Sequence, residues 1–327
     1  MPLDSQNMFE TVKSFPKHCK EALSLPQGSS VPGDIKNIVV TGMGGSAIGG
    51  DLLKTYMHDS KIPVYVNRDY KVPSFVNSGS LVFVVSYSGN TEETLSAYND
   101  AVEKKAKIIA ITSGGKLGEE CDNAIKIPSG LQPRAALGYL FFPMLGLLHN
   151  SNITRVKNDE INEMFDILKE TNDFEEEAEI IAKKLKDKIP IIYSSEAMRP
   201  VALRWKTQIN ENAKFPAFYN VFSEMNHNEL EGYKGMDMKF KVILIRDKHD
   251  NSRIRKRMEV CKEIMEERVE VEEIVTRGNG LLARLFSAIY LGDFVSYNLA
   301  MWNRVDPGPV KVIEDMKERL GNMFSTG

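Results

Sequence analysis

Short β-branched and apolar runs recur along the chain, separated by stretches with helical spacing, and this alternation limits the available folds more than any other feature. Residues 38–40, 64–66, 81–85, 108–111 and 124–127 form one series, and 189–193, 217–220, 242–245 and 269–275 a second. Helix-like stretches fall between them, notably 45–58, 91–105 and 135–148 in the first half and 200–211, 252–267 and 280–300 in the second. Strands alternating with helices imply βαβ units and a parallel sheet covered on both faces. The expected class is α/β, with two such sheets, each an αβα sandwich. A helix over residues 8–23 precedes the first series, and a charged tract at 160–187 reads as a helix with a solvated face. The polar segment 150–159 marks a boundary, which gives an N-terminal unit of residues 1–152 and a C-terminal unit of residues 153–327. Both are of ordinary domain size.

Charge and composition narrow the partners. Forty-two basic side chains against 45 acidic ones leave a net charge of -3, and no long basic run with interleaved aromatics is present. Nucleic acid is therefore not an expected partner. The longest apolar stretches, such as 81–85 and 140–148, fall well short of the ~18 residues of a membrane span, and Asp4 sits where a signal peptide carries its apolar core. A cytoplasmic location without membrane partners is expected. Cys19, Cys121 and Cys261 lie far apart, and the five histidines form no ligand pair on a helix face. Neither a metal nor a cofactor is expected.

Two loops carry anion chemistry. Thr41-Gly42-Met43-Gly44-Gly45-Ser46-Ala47-Ile48-Gly49-Gly50 follows a strand and opens a helix, so its glycines let backbone N–H groups approach an anion at the positive helix end. A dinucleotide turn looks similar but wants an acidic residue at the end of the second strand, where this chain has Asn67-Arg68 before Asp69. Ser86-Tyr87-Ser88-Gly89-Asn90-Thr91-Glu92-Glu93-Thr94 places three hydroxyls between a strand end and a helix start. Ordinary helix capping explains such a loop as readily as a phosphate cradle does. Two loops of this type on neighbouring strands favour a phosphate ester.

Together with Pro133-Arg134-Ala135-Ala136-Leu137-Gly138, Asn210-Glu211-Asn212 and Asn226-His227-Asn228-Glu229, these loops make the chain resemble the sugar isomerase (SIS) domain proteins. Within them it resembles the bifunctional phosphoglucose/phosphomannose isomerases, and the matching segments run from end to end. The resemblance implies two SIS-type, flavodoxin-like domains and an aldose–ketose isomerase acting on a small sugar phosphate. It further implies that Ser46, Ser86, Ser88 and Thr91, aided by amides near Gly44 and Gly45, hold the phosphate. Glu211 is then the base that carries a proton between C2 and C1, and Arg134 stabilises the enediolate. His227 is assigned to ring opening, supplied across the interface of a homodimer with a shared site. Lys317 is the second ring-opening group, with Lys311 the competing choice.

The chain departs from the family at one turn. Relatives carry Asp-Pro-Thr-Pro where this sequence has Asp306-Pro307-Gly308-Pro309, which removes a hydroxyl expected near C1 and C2 and predicts weaker mannose 6-phosphate isomerisation. A non-catalytic sugar-phosphate sensor would share the phosphate loops but has no need of Glu211, Arg134 and His227 together.

Overall fold

The computed structural model describes residues 3–31 and 33–324. Helices α1 (Met8–Lys13) and α2 (Phe15–Ser24) lead into β1 (Asn37–Thr41), α3 (Gly45–Tyr56), β2 (Val64–Asn67), β3 (Ser80–Val85), α4 (Glu92–Glu103), β4 (Lys107–Thr112), α5 (Gly115–Glu120), β5 (Ala124–Lys126) and α6 (Leu137–Asn150). The second half runs α7 (Asn158–Leu168), α8 (Thr171–Leu185), β6 (Ile189–Ser195), α9 (Arg199–Asn212), β7 (Phe218–Phe222), β8 (Phe240–Arg246), α10 (Ser252–Glu266), β9 (Glu270–Val275), α11 (Leu281–Trp302) and α12 (Lys311–Phe324). The expected single helix over 8–23 is two helices that meet at Ser14, and the tract 160–187 likewise divides into α7 and α8. Helix α5 has too short a pattern to be read in the sequence.

Both sheets are parallel. The first has the order β2-β1-β3-β4-β5 and the second β7-β6-β8-β9. In each, the chain first adds a strand on one side and then crosses to the other, so a topological switch point lies between β1 and β3 and again between β6 and β8. The carboxyl ends of strands at a switch point leave a crevice that ligands favour.

Alternation along the strands explains the layering. Leu81, Phe83 and Val85 of β3 enter the largest apolar cluster, whereas Val82 and Val84 enter another on the opposite face. In β8, Ile243 and Ile245 join the large cluster and Val242 and Leu244 a third. The central strands β3 and β8 thus meet a helix layer on each face and read as apolar runs, whereas the edge strands β2, β5, β7 and β9 leave residues exposed. The large cluster extends from Val12 to Ala300 and includes side chains from both sheets' helices. Residues 137–148 of α6 are all buried, and α11 packs on α7, α8 and α9. Each buried Leu, Phe or Met there contributes about 1.5–3 kcal/mol relative to exposure. One sheet lies before residue 152 and the other after it, but the interior is shared across that division.

Candidate active site

At the first switch point the two anion-type loops touch. The amide of Tyr87 donates to Ser46 Oγ at 3.4 Å, so the start of α3 and the loop after β3 are joined. Gly44, with φ of 51°, turns the chain into α3 in a conformation that a side chain would strain. At Gly45 a Cβ would stand 3.1 Å from both Arg134 Cα and Pro133 O, so a side chain there would push the Pro133–Ala135 turn away from the loop.

The hydroxyls of the second loop are preorganised. Ser86 Oγ and Thr91 Oγ1 lie 3.0 Å apart, and the Gly89 amide donates to Ser86 Oγ at 3.1 Å. Thr91 is the N-cap residue of α4 yet makes no side-chain capping bond. Its hydroxyl turns toward Ser86 instead. Ser88 is exposed and receives only the Asn90 amide, at 3.3 Å. Asn67, where a dinucleotide site would want a carboxylate, donates to Thr41 Oγ1 at 3.1 Å.

Arg134 is the centre of the site. Only 3% exposed, it donates from Nε to Asn212 Oδ1 at 2.6 Å, from Nη1 to Gln132 Oε1 at 3.1 Å, and from Nη2 to the Pro307 and Gly308 carbonyls at 2.6 Å each. Its Nη1 is also 3.7 Å from Glu211 Oε2. Burial pushes the guanidinium below its ordinary pKa, Glu211 pulls it back up and Arg204 adds to the fall. Sequence placed Arg134 beside an anion; the structure surrounds it mainly with neutral acceptors.

A buried relay fixes its orientation. Ser296 Oγ donates to the Asp293 carbonyl at 2.7 Å and accepts from Asn212 Nδ2 at 2.9 Å, so the Asn212 oxygen must face Arg134. The backbone is held by the same hub: Arg204 donates to the Arg134 carbonyl at 2.9 Å and grips the Asp293 carboxylate at 3.0 and 2.7 Å. Because Glu211 and Asn212 are consecutive at the end of α9, one faces the cavity while the other points into the interior.

Glu211 lines a cavity of about 670 Å³ together with Asn210, Lys214, Asp306 and Lys311. Lys214 donates to the Glu211 carbonyl and lies 3.5 Å from the Pro307 carbonyl. Partial burial and then Arg134 pull its pKa down, against the upward pull of Asp306 and Glu211. Gln132 Nε2 donates to Gln6 Oε1 at 2.7 Å, which ties the N-terminal segment to the site. Lys214 and Gln6 have no motif that marks them in the sequence, and Asn212 lies in the Asn210-Glu211-Asn212 segment without a role of its own assigned there.

The remaining candidates lie apart. His227, at the end of the Glu224–His227 turn after β7, is exposed and forms no hydrogen bond or ion pair with Arg134 or Glu211 among the described residues. Lys317 is exposed on α12, whereas Lys311 at the start of that helix lines the Glu211 cavity. No group of three or more His, Cys, Asp or Glu side chains among the described residues could hold a metal. Nor is any described helix long and apolar enough to cross a membrane.

Comparison with known proteins places this geometry. Residues 34–145 match the model of the SIS domain, and residues 174–320 that of the bacterial phospho-glucose isomerase C-terminal SIS domain. The chain is 46% identical to a bifunctional phosphoglucose/phosphomannose isomerase of Caldicellulosiruptor bescii over 97% of this chain and 99% of that one. Identity to the protein of the same name from Thermoplasma acidophilum is 43%, over 90% and 92% of the two chains. A putative phosphosugar isomerase of Clostridium difficile has the same fold, with a TM-score of 0.74 at 18% identity over 92% of this chain and 95% of that one. The chain belongs to the bifunctional phosphoglucose/phosphomannose isomerase family.

Proposed function

We propose that the protein interconverts glucose 6-phosphate and fructose 6-phosphate, and mannose 6-phosphate and fructose 6-phosphate, by proton transfer through an enediolate. One juxtaposition carries this reading: the Glu211 carboxylate stands 3.7 Å from the Arg134 guanidinium, and Arg134 is itself seated on the glycine loop of the first switch point. Ser46, Ser86, Ser88 and Thr91, with the Gly44 and Gly45 amides, hold the phosphate there. Glu211 removes the proton from C2 of the open aldose and returns it to C1 of the enediolate, giving the ketose; the reverse path starts at C1. Arg134 offsets the negative charge that develops on the C1–C2 oxygens. Both C2 epimers lead to one C1=C2 enediolate, so the same base serves glucose and mannose substrates once rotation about the C2–C3 single bond turns the other face of C2 toward it.

Ring opening needs a proton donor and acceptor at the sugar ring oxygen and C1 hydroxyl. His227 takes this part from the partner subunit of a homodimer, consistent with its exposure and its place off the wall of the Glu211 cavity. Lys317 or Lys311 supplies the second group; the place of Lys311 on the cavity wall supports the latter. The enzyme works in the cytoplasm and needs no cofactor in this scheme. A regulatory protein that only binds sugar phosphates has no use for a carboxylate paired with a buried guanidinium, and the isomerase names of the relatives do not favour it.

The test is production of fructose 6-phosphate from each aldose phosphate by the parent protein and by Glu211→Gln. Turnover should fall by about 10²–10⁴-fold in the variant, with little change in melting temperature because the side chain is 27% exposed. Equal turnover in both proteins would remove Glu211 from the base position.

A further inference from the structure

The second switch point, between β6 and β8, opens onto a cleft of its own. In the first, the loops after β1 and β3 touch each other, and the Arg134 turn that lies against the glycine loop reaches the C-terminal end of α9. In the second, the loops after β6 and β8, with Arg284 of α11, meet the C-terminal half of α3 across a cavity of about 400 Å³. The duplicated architecture has produced two clefts of similar build, and their chemistry differs in sign. Where the first offers hydroxyls and free amides, the second has five carboxylates against three lysine and arginine side chains on its wall. Most of these carboxylates are neutralised in place. Arg68 pairs with Asp51, Arg199 grips Glu196 through two bonds of 2.7 Å, and Arg284 pairs with Asp247.

Of the two carboxylates that make no ion pair among the described residues, Asp59 is exposed to solvent and Asp250 is buried. Asp250 is 8% exposed and lies beside Asp247. Its Oδ2 has no hydrogen-bond partner, and neither has the Ser195 Oγ, which is 4% exposed at the end of β6. Both residues line an adjoining cavity of about 560 Å³ that shares Glu196, Arg199 and Asp250 with the first. Burial raises the Asp250 pKa; the nearby Ser195 hydroxyl opposes the rise, Asp247 adds to it, and Arg284, already paired with Asp247, opposes it from outside ion-pair distance, while Asp250 Oδ2 and Ser195 Oγ have no partner in hydrogen-bond geometry among the described residues. A buried carboxylate without a counter-ion is costly, and a buried hydroxyl without a partner is a smaller cost of the same kind. Phosphate is repelled by Asp247 and Asp250. A divalent metal would want three or more ligating side chains, and the described residues provide no such group.

We propose that this second cleft binds a small organic ligand through a protonated primary amine, with the Asp250 carboxylate as its counter-ion and the Ser195 hydroxyl as a second acceptor. The inference is independent of the isomerase reading, because no residue of the first switch point takes part.

Calorimetric titration with ethanolamine tests it, with sorbitol as the uncharged control and sodium chloride matched for ionic strength. Ethanolamine should bind saturably to the parent and to Glu211→Gln alike, and at least about tenfold more weakly to Asp250→Asn. Isomerisation of glucose 6-phosphate should be unchanged by Asp250→Asn. Ser195→Ala should weaken ethanolamine binding as well, and carries the test if Asp250→Asn does not fold. Ethanolamine heats no larger than those of sodium chloride, equal binding to the parent and Asp250→Asn, or sorbitol binding as tight as that of ethanolamine would each overturn the proposal.

Discussion

Arg134 has its donors taken by partners that differ in origin: a side chain of α9, a glutamine two residues earlier, and two carbonyls from near the C-terminus. Such a guanidinium has one orientation, and the Asn212 amide contributes most to fixing it because its own flip state is dictated by Ser296. Asn212→Ala leaves Arg134 Nε and Ser296 Oγ without this buried partner. A loss of about 1–3 kcal/mol of stability is expected, together with a fall in kcat larger than any rise in KM, since the guanidinium would act mainly on the enediolate; a purely structural asparagine would lower stability and leave kcat per folded molecule unchanged. Gly308 is the other residue-scale test. A Cβ there would lie 2.8 Å from Gln6 Cγ, Cδ and Oε1, the mobile end of an exposed side chain, so Gly308→Thr requires only that Gln6 swing away from Gln132. The ratio of mannose 6-phosphate to glucose 6-phosphate turnover should rise in Gly308→Thr, and an unchanged ratio would end the idea that a hydroxyl at this turn assists the second epimer.

At the scale of elements, the end of α9 matters most. The helix stops at Asn212, and Lys214 just beyond it has φ of 52°, the left-handed conformation that glycine usually supplies at this position. A lysine there costs about 1–2 kcal/mol in backbone terms, while its ammonium on the Glu211 carbonyl returns about 0.3–1 kcal/mol at a helix C-terminus. Lys214→Gly removes both contributions, so the melting temperature should stay the same or rise. If the ammonium near Glu211 and Arg134 serves the developing oxyanion, kcat should nonetheless fall several-fold. A variant that is both stable and fully active would show that the lysine does nothing for the chemistry. The same helix shows why Glu211 alone is ambiguous in sequence: a glutamate at a helix end is common, and its buried guanidinium partner comes from the Pro133–Ala135 turn, brought alongside from the other half of the chain.

For the whole molecule, the single chain leaves His227 exposed and off the wall of the Glu211 cavity, and α12 presents Val312 at 83%, Met316 at 47% and Leu320 at 43% exposure. A homodimer with shared sites makes a quantitative prediction. Mixing and refolding equal amounts of Glu211→Gln and His227→Ala gives half heterodimers, and one of the two sites in each then has both wild-type groups. Activity should return to about a quarter of the parent's. No recovery above the sum of the two inactive homodimers would place His227 and Glu211 in the same chain's site or remove His227 from the reaction.

The central strands were legible because each is buried on both faces, so residues 38–40, 81–85 and 242–245 are apolar throughout and needed no tertiary information to be read. The two loops were legible because a glycine run and a hydroxyl run after a strand are local facts of the chain. Strand order, and hence the switch point that brings the loops together, was implied only through the α/β class. The break at Ser14 and the short α5 were not legible, since neither leaves a periodic signal longer than two turns. Site residues far apart in sequence divided in the same way. Arg134 and Glu211 stood out by motif, but Asn212, Gln6, Lys214 and the Pro307 and Gly308 carbonyls acquire a role only when α9, the N-terminal segment and the C-terminal turn converge on one guanidinium. Backbone conformation and apolar pattern are set by neighbours along the chain; the partner of a buried charge is set by whichever segment packing brings to it.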